Sequence, residues 1–355
     1  MAYKGTLRSL LRGMMERRES LNREEAHGLL DMILAGEASE VELAALLGAM
    51  AARGETAAEL AGFVDALRAA ATPMPLKDDE RALMVDTCGT GGDSSGTFNI
   101  STAAALVAAA SETADGRRLM VAKHGNRAVT STSGSADVLE AMGIPVDLSP
   151  AQSAEALRTH GFAFLHAPAH HPAMKAVMPV RRALGIRTIF NLVGPLSNPA
   201  GAQAQVMGVY AADRVPLVAE AMLLLGTRHA FVVHGQDEQG RGLDEISVSG
   251  PTRIAEVRDG RVRFETVTPE QFGLARAPLS ALQGGDAVEN AGILRSIFAG
   301  EPGPRRDIVV INAAAVLVAG GLAPGIAEGL KLACATIDQG AVNALIAALG
   351  DSKQA

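Results

Sequence analysis

A glycine-rich segment flanked by two apolar runs constrains this chain more than any other feature. The segment runs from Asp86 to Thr102 and reads DTCGTGGDSSGTFNIST. Residues 82–85 before it predict a buried strand, and residues 103–110 after it predict a helix that Ser101 and Thr102 could cap. Because glycines let backbone N–H groups approach a ligand and helix N-termini attract anions, the pattern predicts a phosphate-binding loop. A glycine-rich turn without a ligand is the alternative.

Two common glycine motifs do not fit this segment. A P-loop needs a lysine at its end, and no lysine lies between residues 86 and 102. A dinucleotide fingerprint through Gly89 and Gly91 would place Ser94 at its third glycine position. Asp93 would repel a phosphate unless it binds sugar hydroxyls or works beside a divalent cation. The segment therefore favours a phosphorylated sugar bound together with a metal ion.

The composition is that of a globular protein without an excess of positive charge. Hydrophobic residues make up 48% of the 355 residues and charged residues 20%, with 32 basic and 39 acidic side chains and a net charge of -7. This charge balance argues against nonspecific nucleic-acid binding. The two cysteines, Cys88 and Cys334, show neither metal-ligand spacing nor a disulfide pattern. Since no signal-peptide pattern or membrane span is evident either, we expect a cytoplasmic protein.

The first 71 residues predict four short helices packed as a bundle. Their starts are marked by three capping-box pairs and their stops by two glycines: Asn22 with Glu25, Ser39 with Glu42, Thr56 with Glu59, Gly36 and Gly54. The apolar faces of these helices exceed what four small helices can bury among themselves. A dimer interface, a second helical group or ordinary core packing would each account for that surplus.

A second polar loop follows a predicted strand at residues 119–122. Residues 123–140 read KHGNRAVTSTSGSADVLE, and a helical face begins at Val138. The Ser/Thr/Gly run thus lies at a helix N-terminus and predicts a second anion site. Lys123, His124 and Arg127 add positive charge or donors just after a strand, where open α/β sheets bind ligands. Such loops are also common without function, although two in successive βα units are much less common.

Three further groups of polar residues are candidates for function. His166, His170 and His171 lack carboxylate or cysteine partners at ligand spacing, so we interpret them as neutral donors near an organic ligand or as structural histidines. The pair Arg181 and Arg182 could hold a carboxylate or form a solvated helix face.

Adjacent carboxylates at Asp244 and Glu245 form the third group. They repel each other unless a cation lies near them, and hard oxygen donors suit Mg²⁺ shared with phosphates. A surface acidic pair is the alternative.

The rest of the chain alternates strand and helix patterns. Residues 206–210 and 230–234 predict parallel strands separated by a helix at 215–225. Residues 254–267 predict a hairpin with its turn at Asp259 and Gly260. Residues 290–298, 308–319 and 326–349 are predicted to be largely helical. Together with the bundle, this pattern predicts an α/β protein.

Nine motifs together resemble those of one family, the anthranilate phosphoribosyltransferases of tryptophan biosynthesis. The matching segments are CGTGGD at 88–93, TFNIST at 97–102, KHGNR at 123–127, SGSAD at 133–137, HPAMK at 171–175, Arg181 with Arg182, GIRTIFN at 185–191, GPL at 194–196 and LDEIS at 243–247. The resemblance covers nearly the whole chain, including the helical N-terminal part.

The resemblance implies an α/β fold with a small all-α helical domain and a larger α/β domain with a central, mainly parallel sheet. The small domain would comprise residues 1–73 with about 165–200, and the larger domain residues 78–164 and 201–355. Family members are usually homodimers joined through the small domain. The implied reaction joins anthranilate to 5-phosphoribosyl 1-diphosphate (PRPP), with Mg²⁺, giving N-(5-phosphoribosyl)anthranilate and diphosphate. It is the second step of tryptophan biosynthesis from chorismate.

Site residues are implied by position in the matching motifs. PRPP would be held by Gly89, Gly92, Asp93, Thr97, Asn99, Ile100, Ser101, Thr102, Lys123, His124, Gly125, Asn126, Arg127, Ala128, Val129, Thr130, Ser131 and Ser135. Anthranilate would be bound by Gly89, Asn126, His171 and Arg181, the last through its carboxylate. Ser101, Asp244 and Glu245 would bind magnesium. Lys123 would stabilise the leaving diphosphate, and His124 and His171 are candidates for acid–base catalysis.

Two positions depart from the family pattern, and two other functions compete with the implied one. Thr132 stands where the family often has lysine, and Ser94 where glycine is frequent. A pyrimidine nucleoside phosphorylase shares the fold and a similar phosphate loop, but would not need the acidic pair or Arg181. A noncatalytic relative that binds nucleic acid would be expected to have an excess of Lys and Arg, and the chain shows the reverse.

Overall fold

The computed structural model describes residues 7–128 and 132–351 as one helical bundle joined to one α/β sheet structure. Three predicted PRPP-binding residues, Val129, Thr130 and Ser131, lie outside the described residues. The bundle precedes the sheet in the chain, and a later segment returns to it.

The bundle begins with the four helices that the capping pattern predicts. They are α1 (Leu7–Arg17), α2 (Arg23–Leu34), α3 (Glu40–Arg53) and α4 (Ala57–Ala69). All three predicted capping boxes are present, each with a side chain that accepts from the backbone N–H three residues later and a glutamate that accepts in return. Gly36 and Gly54, with φ of 77° and 89°, lie just past α2 and α3. Local signals therefore set the limits of these helices.

The sheet is mainly parallel and, among the described residues, has eight strands. They are β1 (Met84–Gly89), β2 (Met120–Gly125), β3 (Phe162–His166), β4 (Ala204–Gly208), β5 (His229–Gln236), β6 (Gly242–Leu243), β7 (Thr252–Arg258) and β8 (Arg261–Val267). The order β3-β2-β1-β4-β5 is parallel, and β7 and β8 extend it antiparallel. The short strand β6 pairs antiparallel with the end of β5. The predicted parallel strands and hairpin are confirmed.

Helices connect and cover these strands. They are α5 (Asp78–Ala82), α6 (Ile100–Ala110), α7 (Ser135–Ala141), α8 (Pro150–His160), α9 (Ala167–His170), α10 (Met178–Leu184), α11 (Phe190–Leu196), α12 (Arg214–Leu224), α13 (Ala287–Phe298), α14 (Pro304–Ala319), α15 (Ile326–Asp338) and α16 (Ala341–Asp351). Helices α6 and α14 pack together and are almost wholly buried. Within residues 7–128 and 132–351 no single helix is long and apolar enough to cross a membrane, although α15 and α16, bent by 63°, pass that test as a pair.

Several element boundaries differ from the sequence-based expectation. The first strand begins at Met84 because residues 78–82 form α5, whose first turn carries three acidic residues, and Leu83 is 52% exposed. The strand β2 extends to Gly125, so Lys123 and His124 lie within it, not after it. Helix α6 starts at Ile100, so Ser101 and Thr102 lie in its first turn and do not cap it. The expected helix at 326–349 is two helices separated at Gly340, with φ of 74°.

Residues 167–196 return to the bundle after β3. Helix α10 packs on α3, and α11 packs on α4 with the Phe63 and Phe190 rings 5.9 Å apart. The apolar core of the bundle continues through Val193 to Val232 on one face of the sheet. Apolar residues on α2 and α3, which form part of the surplus predicted from the sequence, are therefore buried within one chain: Leu29, Leu30, Ile33, Leu43, Leu46, Leu47 and Met50. The domain boundaries themselves stay a prediction.

Candidate active site

The carboxyl ends of the parallel strands bring the predicted site segments together. Strand β1 ends at Gly89, paired with Gly208 at the end of β4, and β2 ends at Gly125, paired with His166 of β3. The segment just after β6 contributes Asp244 and Glu245. Open α/β sheets bind ligands at this edge, and the segments found from sequence lie together there.

The glycine loop after β1 has few anchors and several left-handed residues. Gly91 and Gly92 have φ of 68° and 74°, and Ser94 has φ of 61°. The N–H of Gly91 donates to Asp244 Oδ2 at 2.7 Å. Asp93 accepts from the N–H of Ser95 at 3.1 Å and from that of Asp244 at 3.2 Å. Ser94, a departure from the family pattern, thus adopts a conformation that is unfavourable for a residue with a Cβ.

Two glycines allow the acidic segment to lie against β1 and β4. A Cβ on Gly89 would meet Asp244 Oδ2 at 2.3 Å, and a Cβ on Gly208 would meet the Asp244 carbonyl oxygen at 1.6 Å. Both distances are shorter than any tolerable contact. The absence of side chains at these two strand ends therefore positions the carboxylate pair over the sheet edge.

The surroundings of Asp244 and Glu245 favour the binding of a cation. Burial, together with the neighbouring Asp93, raises the pKa of Asp244 to about 8. Burial and then Asp244 raise the pKa of Glu245 well above its ordinary value, while Lys123 opposes this. Glu245 Oε1 accepts from the N–H of Ser101 at 3.0 Å, so two of the predicted magnesium ligands are in contact, and Asp244 is the chain neighbour of Glu245. Hard carboxylate oxygens that repel each other in a buried site fit Mg²⁺.

Oxygens beyond these side chains would be needed to complete a magnesium site. In the part of the chain that the structure describes, no group of three or more His, Cys, Asp or Glu side chains is arranged to hold a metal ion. Magnesium usually retains waters and binds substrate phosphates alongside one or two carboxylates. The donor set therefore suits a metal bound together with a phosphorylated ligand.

Lys123 is a buried cation at the centre of the site. It is 1% exposed, and its Nζ donates to the Thr87 carbonyl at 2.8 Å and to Ser101 Oγ at 3.3 Å. Burial lowers its pKa, and Asp86 opposes that shift. Asp86 in turn accepts from the N–H of His124 at 3.2 Å, and burial raises its pKa to about 6. The Lys123 ammonium is thus fixed between the ends of β1 and α6.

Two of the predicted histidines lie in contact. The rings of His124 and His171 are 5.2 Å apart in an edge-to-face arrangement. His171 Nε2 is 2.9 Å from the Ser197 carbonyl, while His124 Nε2 has no hydrogen-bond partner among residues 7–128 and 132–351. Burial lowers the pKa of both rings, that of His124 well below its ordinary value. Burial therefore favours the neutral form of both imidazoles near pH 7 and makes each a weaker proton acceptor than a free histidine.

Arg127, in the second polar loop, forms ion pairs with nearby acidic residues. The Arg127 guanidinium lies 2.8 Å from Glu140, 3.3 Å from Asp137 and 3.5 Å from Asp147. Asp137 also accepts from the N–H groups of Ala128 and Gly134, each at 2.9 Å. The Arg127 charge is thus directed to carboxylates of its own βα unit and not across the sheet edge.

The remaining predicted residues surround this centre. Asn99 donates to the Ser133 carbonyl at 3.3 Å and accepts from Asn290 at 2.9 Å, which ties the first loop to the second. Thr97 forms an isolated bridge with Gln283. Ile100 and Thr102 are buried in the first turn of α6, Ser135 begins α7 beside Gly125, and Asn126 is exposed.

Arg181 contributes a partly buried positive charge. It lies on α10, with its guanidinium carbon 5.5 Å from the centre of the Phe190 ring. Burial lowers its pKa, and no ion pair to it occurs among the described residues. A partly buried guanidinium of this kind binds a carboxylate by parallel hydrogen bonds.

Three residues at the site were given no role from the sequence, although Arg187 lies in the GIRTIFN motif and Asp86 begins the glycine-rich segment. Arg187 contacts the glycine loop, Asp86 lies beneath Lys123 and His124, and Asn312 of α14 binds both backbone groups of Ile246 at 2.9 and 3.0 Å. Each acts on a segment far away in the chain. For Asp86, the hint in the sequence was a carboxylate placed between the predicted strand and the glycines.

Comparison with known proteins places this fold and site in a class. Residues 5–71 match the helical bundle domain, and residues 81–343 the a/b domain, of a glycosyl transferase family. The chain therefore belongs to the glycosyl transferases that join these two domains.

Curated relatives define the family within that class. The anthranilate phosphoribosyltransferase of Symbiobacterium thermophilum is 48% identical over 334 residues, 94% of each chain. That of Solibacter usitatus is 49% identical over 333 residues, 94% of this chain and 95% of the relative. The chain belongs to the anthranilate phosphoribosyltransferase family, as its motifs indicated.

Solved structures agree with this assignment. The anthranilate phosphoribosyltransferase of Thermus thermophilus superposes with a TM-score of 0.87 at 41% identity, covering 98% of this chain and 99% of that one. The Saccharomyces cerevisiae enzyme in complex with PRPP and Mg gives a TM-score of 0.85 at 27% identity, covering 98% of both chains. The predicted combination of a small helical domain with a larger, mainly parallel α/β domain is confirmed.

Proposed function

We propose that this protein transfers the phosphoribosyl group of PRPP to the amine of anthranilate, releasing diphosphate. The observation that carries the proposal is the placement of the half-buried Asp244 and buried Glu245, a glycine loop and Lys123 at one sheet edge. The solved yeast relative in complex with PRPP and Mg supports it. So does the same enzyme solved with 4-fluoroanthranilate, at 25% identity, a TM-score of 0.82 and 98% and 97% coverage.

The phosphoribosyl diphosphate would lie across the two loops at the strand ends. Asp244, Glu245 and Ser101 would hold Mg²⁺, which supplies positive charge against the departing diphosphate. Lys123 adds a fixed positive charge next to Ser101, and the N-terminus of α6 adds a partial one. We assign the PRPP-contacting roles to the residues that the family motifs imply, from Gly89 to Ser135.

Anthranilate would be oriented by its carboxylate. Arg181 supplies the charge, and Gly89, Asn126 and His171 would complete the binding surface. The anthranilate amine is itself a nucleophile, so holding it near the ribose accounts for much of the rate increase. The neighbouring rings of His124 and His171, each with one unpartnered nitrogen among the described residues, are the candidates to take the proton that the amine loses.

The first experiment follows the fluorescence of anthranilate after PRPP is added, with and without Mg²⁺. We expect magnesium-dependent loss of fluorescence for the wild type. In Arg181→Ala the KM for anthranilate should rise on the order of 100-fold, because a charged hydrogen-bond pair is lost. The exposed neighbour Arg182→Ala is the matched control and should retain the wild-type KM.

Two results would count against the proposal. A folded wild type that leaves anthranilate fluorescence unchanged would exclude the reaction. Phosphorolysis of thymidine or uridine by the same preparation would point to a nucleoside phosphorylase in its place.

We further propose a cytoplasmic homodimer that binds neither nucleic acid nor membranes. Met15 on α1 and Val41 on α3 are 69% and 80% exposed, and they leave apolar surface on the bundle. Both cysteines are free, in keeping with a reducing compartment, and the net charge of -7 disfavours nucleic acid. Sedimentation equilibrium should give the mass of two chains, and a mass of one chain would contradict the dimer.

A further inference from the structure

Arg187 connects the bundle side of the molecule to the glycine loop. It lies between α10 and α11, in a segment fixed by the Gly185 N–H bonded to the Arg181 carbonyl and the Thr188 N–H bonded to Asn191 Oδ1. From this segment its Nη2 donates to the carbonyl oxygen of Gly92, 95 residues earlier in the chain. Arg187 therefore links the segment just after α10, the helix that carries Arg181, to the loop that follows β1.

The guanidinium of Arg187 is held in place from a second side. Its central carbon lies 4.3 Å from the centre of the Tyr210 ring, just after β4. The Tyr210 N–H in turn donates to Thr90 Oγ1 at 3.0 Å, and the Thr90 N–H donates to the Gly208 carbonyl at 2.9 Å. Stacking on an aromatic face restricts the planar fork of an arginine. The donor is thus pre-oriented towards Gly92.

The loop needs such an anchor because its own residues favour disorder. Glycines lose more backbone entropy on ordering than other residues, and Gly91 and Gly92 are consecutive, left-handed and exposed. Ser94, also left-handed, adds strain. Asp244 and Asp93 hold the loop from the acidic side. Arg187 adds a separate contact, to the Gly92 carbonyl.

We propose that Arg187 is a positioning residue: through the Gly92 carbonyl it holds the glycine loop in the conformation that receives the diphosphate of PRPP. The proposal rests on the proposed function, since it takes PRPP as the ligand of this loop. It also links the two substrate sites physically, because Arg181 and Arg187 belong to one short segment.

The test measures PRPP binding by calorimetry with Mg²⁺, and separately KM and kcat, for wild type, Arg187→Ala, Arg187→Lys, Tyr210→Ala and Arg182→Ala. We expect Arg187→Ala to weaken PRPP binding about tenfold, the value of one hydrogen bond from a charged donor. The KM for PRPP should rise by a similar factor while kcat at saturating PRPP changes little. Arg187→Lys, which keeps a charged donor, should recover part of the loss, and Tyr210→Ala should reproduce part of it.

Amide hydrogen exchange provides a second measurement that does not depend on catalysis. Amides 90–96 should exchange faster in Arg187→Ala than in wild type, whereas Arg182→Ala should match wild type. Unchanged PRPP affinity in Arg187→Ala, or an equal loss in Arg182→Ala, would overturn the proposal.

The binding data also separate this inference from the function itself. If the wild type binds PRPP but does not consume anthranilate, the proposed function fails, and the comparison of variants still decides the role of Arg187. If the wild type does not bind PRPP at all, both are overturned.

Discussion

Gly208 is the residue at which the sheet and the acidic segment approach most closely. A Cβ there would lie 1.6 Å from the Asp244 carbonyl oxygen, which belongs to backbone and cannot rotate away. We expect Gly208→Ala to lower the free energy of unfolding by about 2 kcal/mol or more, since one segment must shift. Urea denaturation measures the change.

Gly48 offers a matched control for this substitution. It lies inside α3, and a Cβ there would meet nothing within 4 Å. Gly48→Ala should stabilise the protein by about 0.5–1 kcal/mol, because alanine is the better helix former. Equal effects of the two substitutions would contradict the close contact at Gly208.

His170 is a fully buried imidazole with neither ring nitrogen bonded within the described residues. Burial, and then His171 and His166, lower its pKa from 6.5 to about 4. Because the unfolded state then binds the proton more readily, stability is complete above pH 6.5 and is lost as the pH falls towards 4. The loss should reach about 3 kcal/mol.

Replacing this ring by one that does not titrate isolates the effect. In His170→Phe the free energy of unfolding should fall less steeply between pH 6.5 and 4, as followed by denaturation at several pH values. A wild-type slope in His170→Phe would assign the acid sensitivity to other groups.

At the scale of elements, α14 fixes the acidic segment from behind. Asn312 accepts from the Ile246 N–H at 2.9 Å and donates to the Ile246 carbonyl at 3.0 Å, while fully buried. Asn312→Leu would leave both backbone groups unpaired in the core and should cost about 3 kcal/mol in the free energy of unfolding. Thermal or urea unfolding measures it.

Asn343 on α16 provides the comparison for that variant. It is exposed and donates to the Phe298 carbonyl at 2.9 Å, so water can replace the bond. Asn343→Leu should cost less than about 1 kcal/mol. An equal loss in the free energy of unfolding in both variants would contradict the proposal that Asn312 fixes the acidic segment.

Local elements could be predicted from sequence because their signals are local. The capping boxes of α2, α3 and α4 depend on residues three positions apart, and all three are present. Helix α6 was misassigned at its start because a distant residue, Glu245, accepts from its first-turn N–H. The apolar surplus of the bundle is covered by α11, α12 and the sheet, which agrees with the second helical group and the core packing that the sequence left open.

The candidate site shows the same limit. Its glycine, lysine and acidic motifs could be found because each is contiguous in the chain. Arg187, Asn312 and Gly208 act through contacts with segments that are distant in the chain, so no local pattern reveals them. The pairing of Arg127 with Asp137 and Glu140 was also not foreseen, although these residues lie close in sequence. The family resemblance assigned Arg127 to phosphate.

At the scale of the molecule, the bundle and the sheet share one apolar core. Phe63 of α4 is fully buried in a cluster that includes Val232 and Val257 of the sheet. We therefore expect a single calorimetric unfolding transition. Phe63→Ala should shift that whole transition downwards, since it removes about 3–5 kcal/mol.

Phe298 tests the same point from a second apolar cluster, which contains α6 and α14 and does not include the bundle. Phe298→Ala should move the same single transition. Two resolved transitions, with each variant affecting one, would show that the bundle and the sheet unfold independently.

The hairpin at the edge of the sheet offers a place for labels. Its turn, Asp259 and Gly260, has φ of 52° and 68°, as a tight two-residue connection requires. Arg258 pairs with His229, the first residue of β5, so the turn lies at the opposite end of the sheet from the substrate loops. A fluorophore or affinity peptide inserted between residues 259 and 260 should report on the enzyme without entering its chemistry.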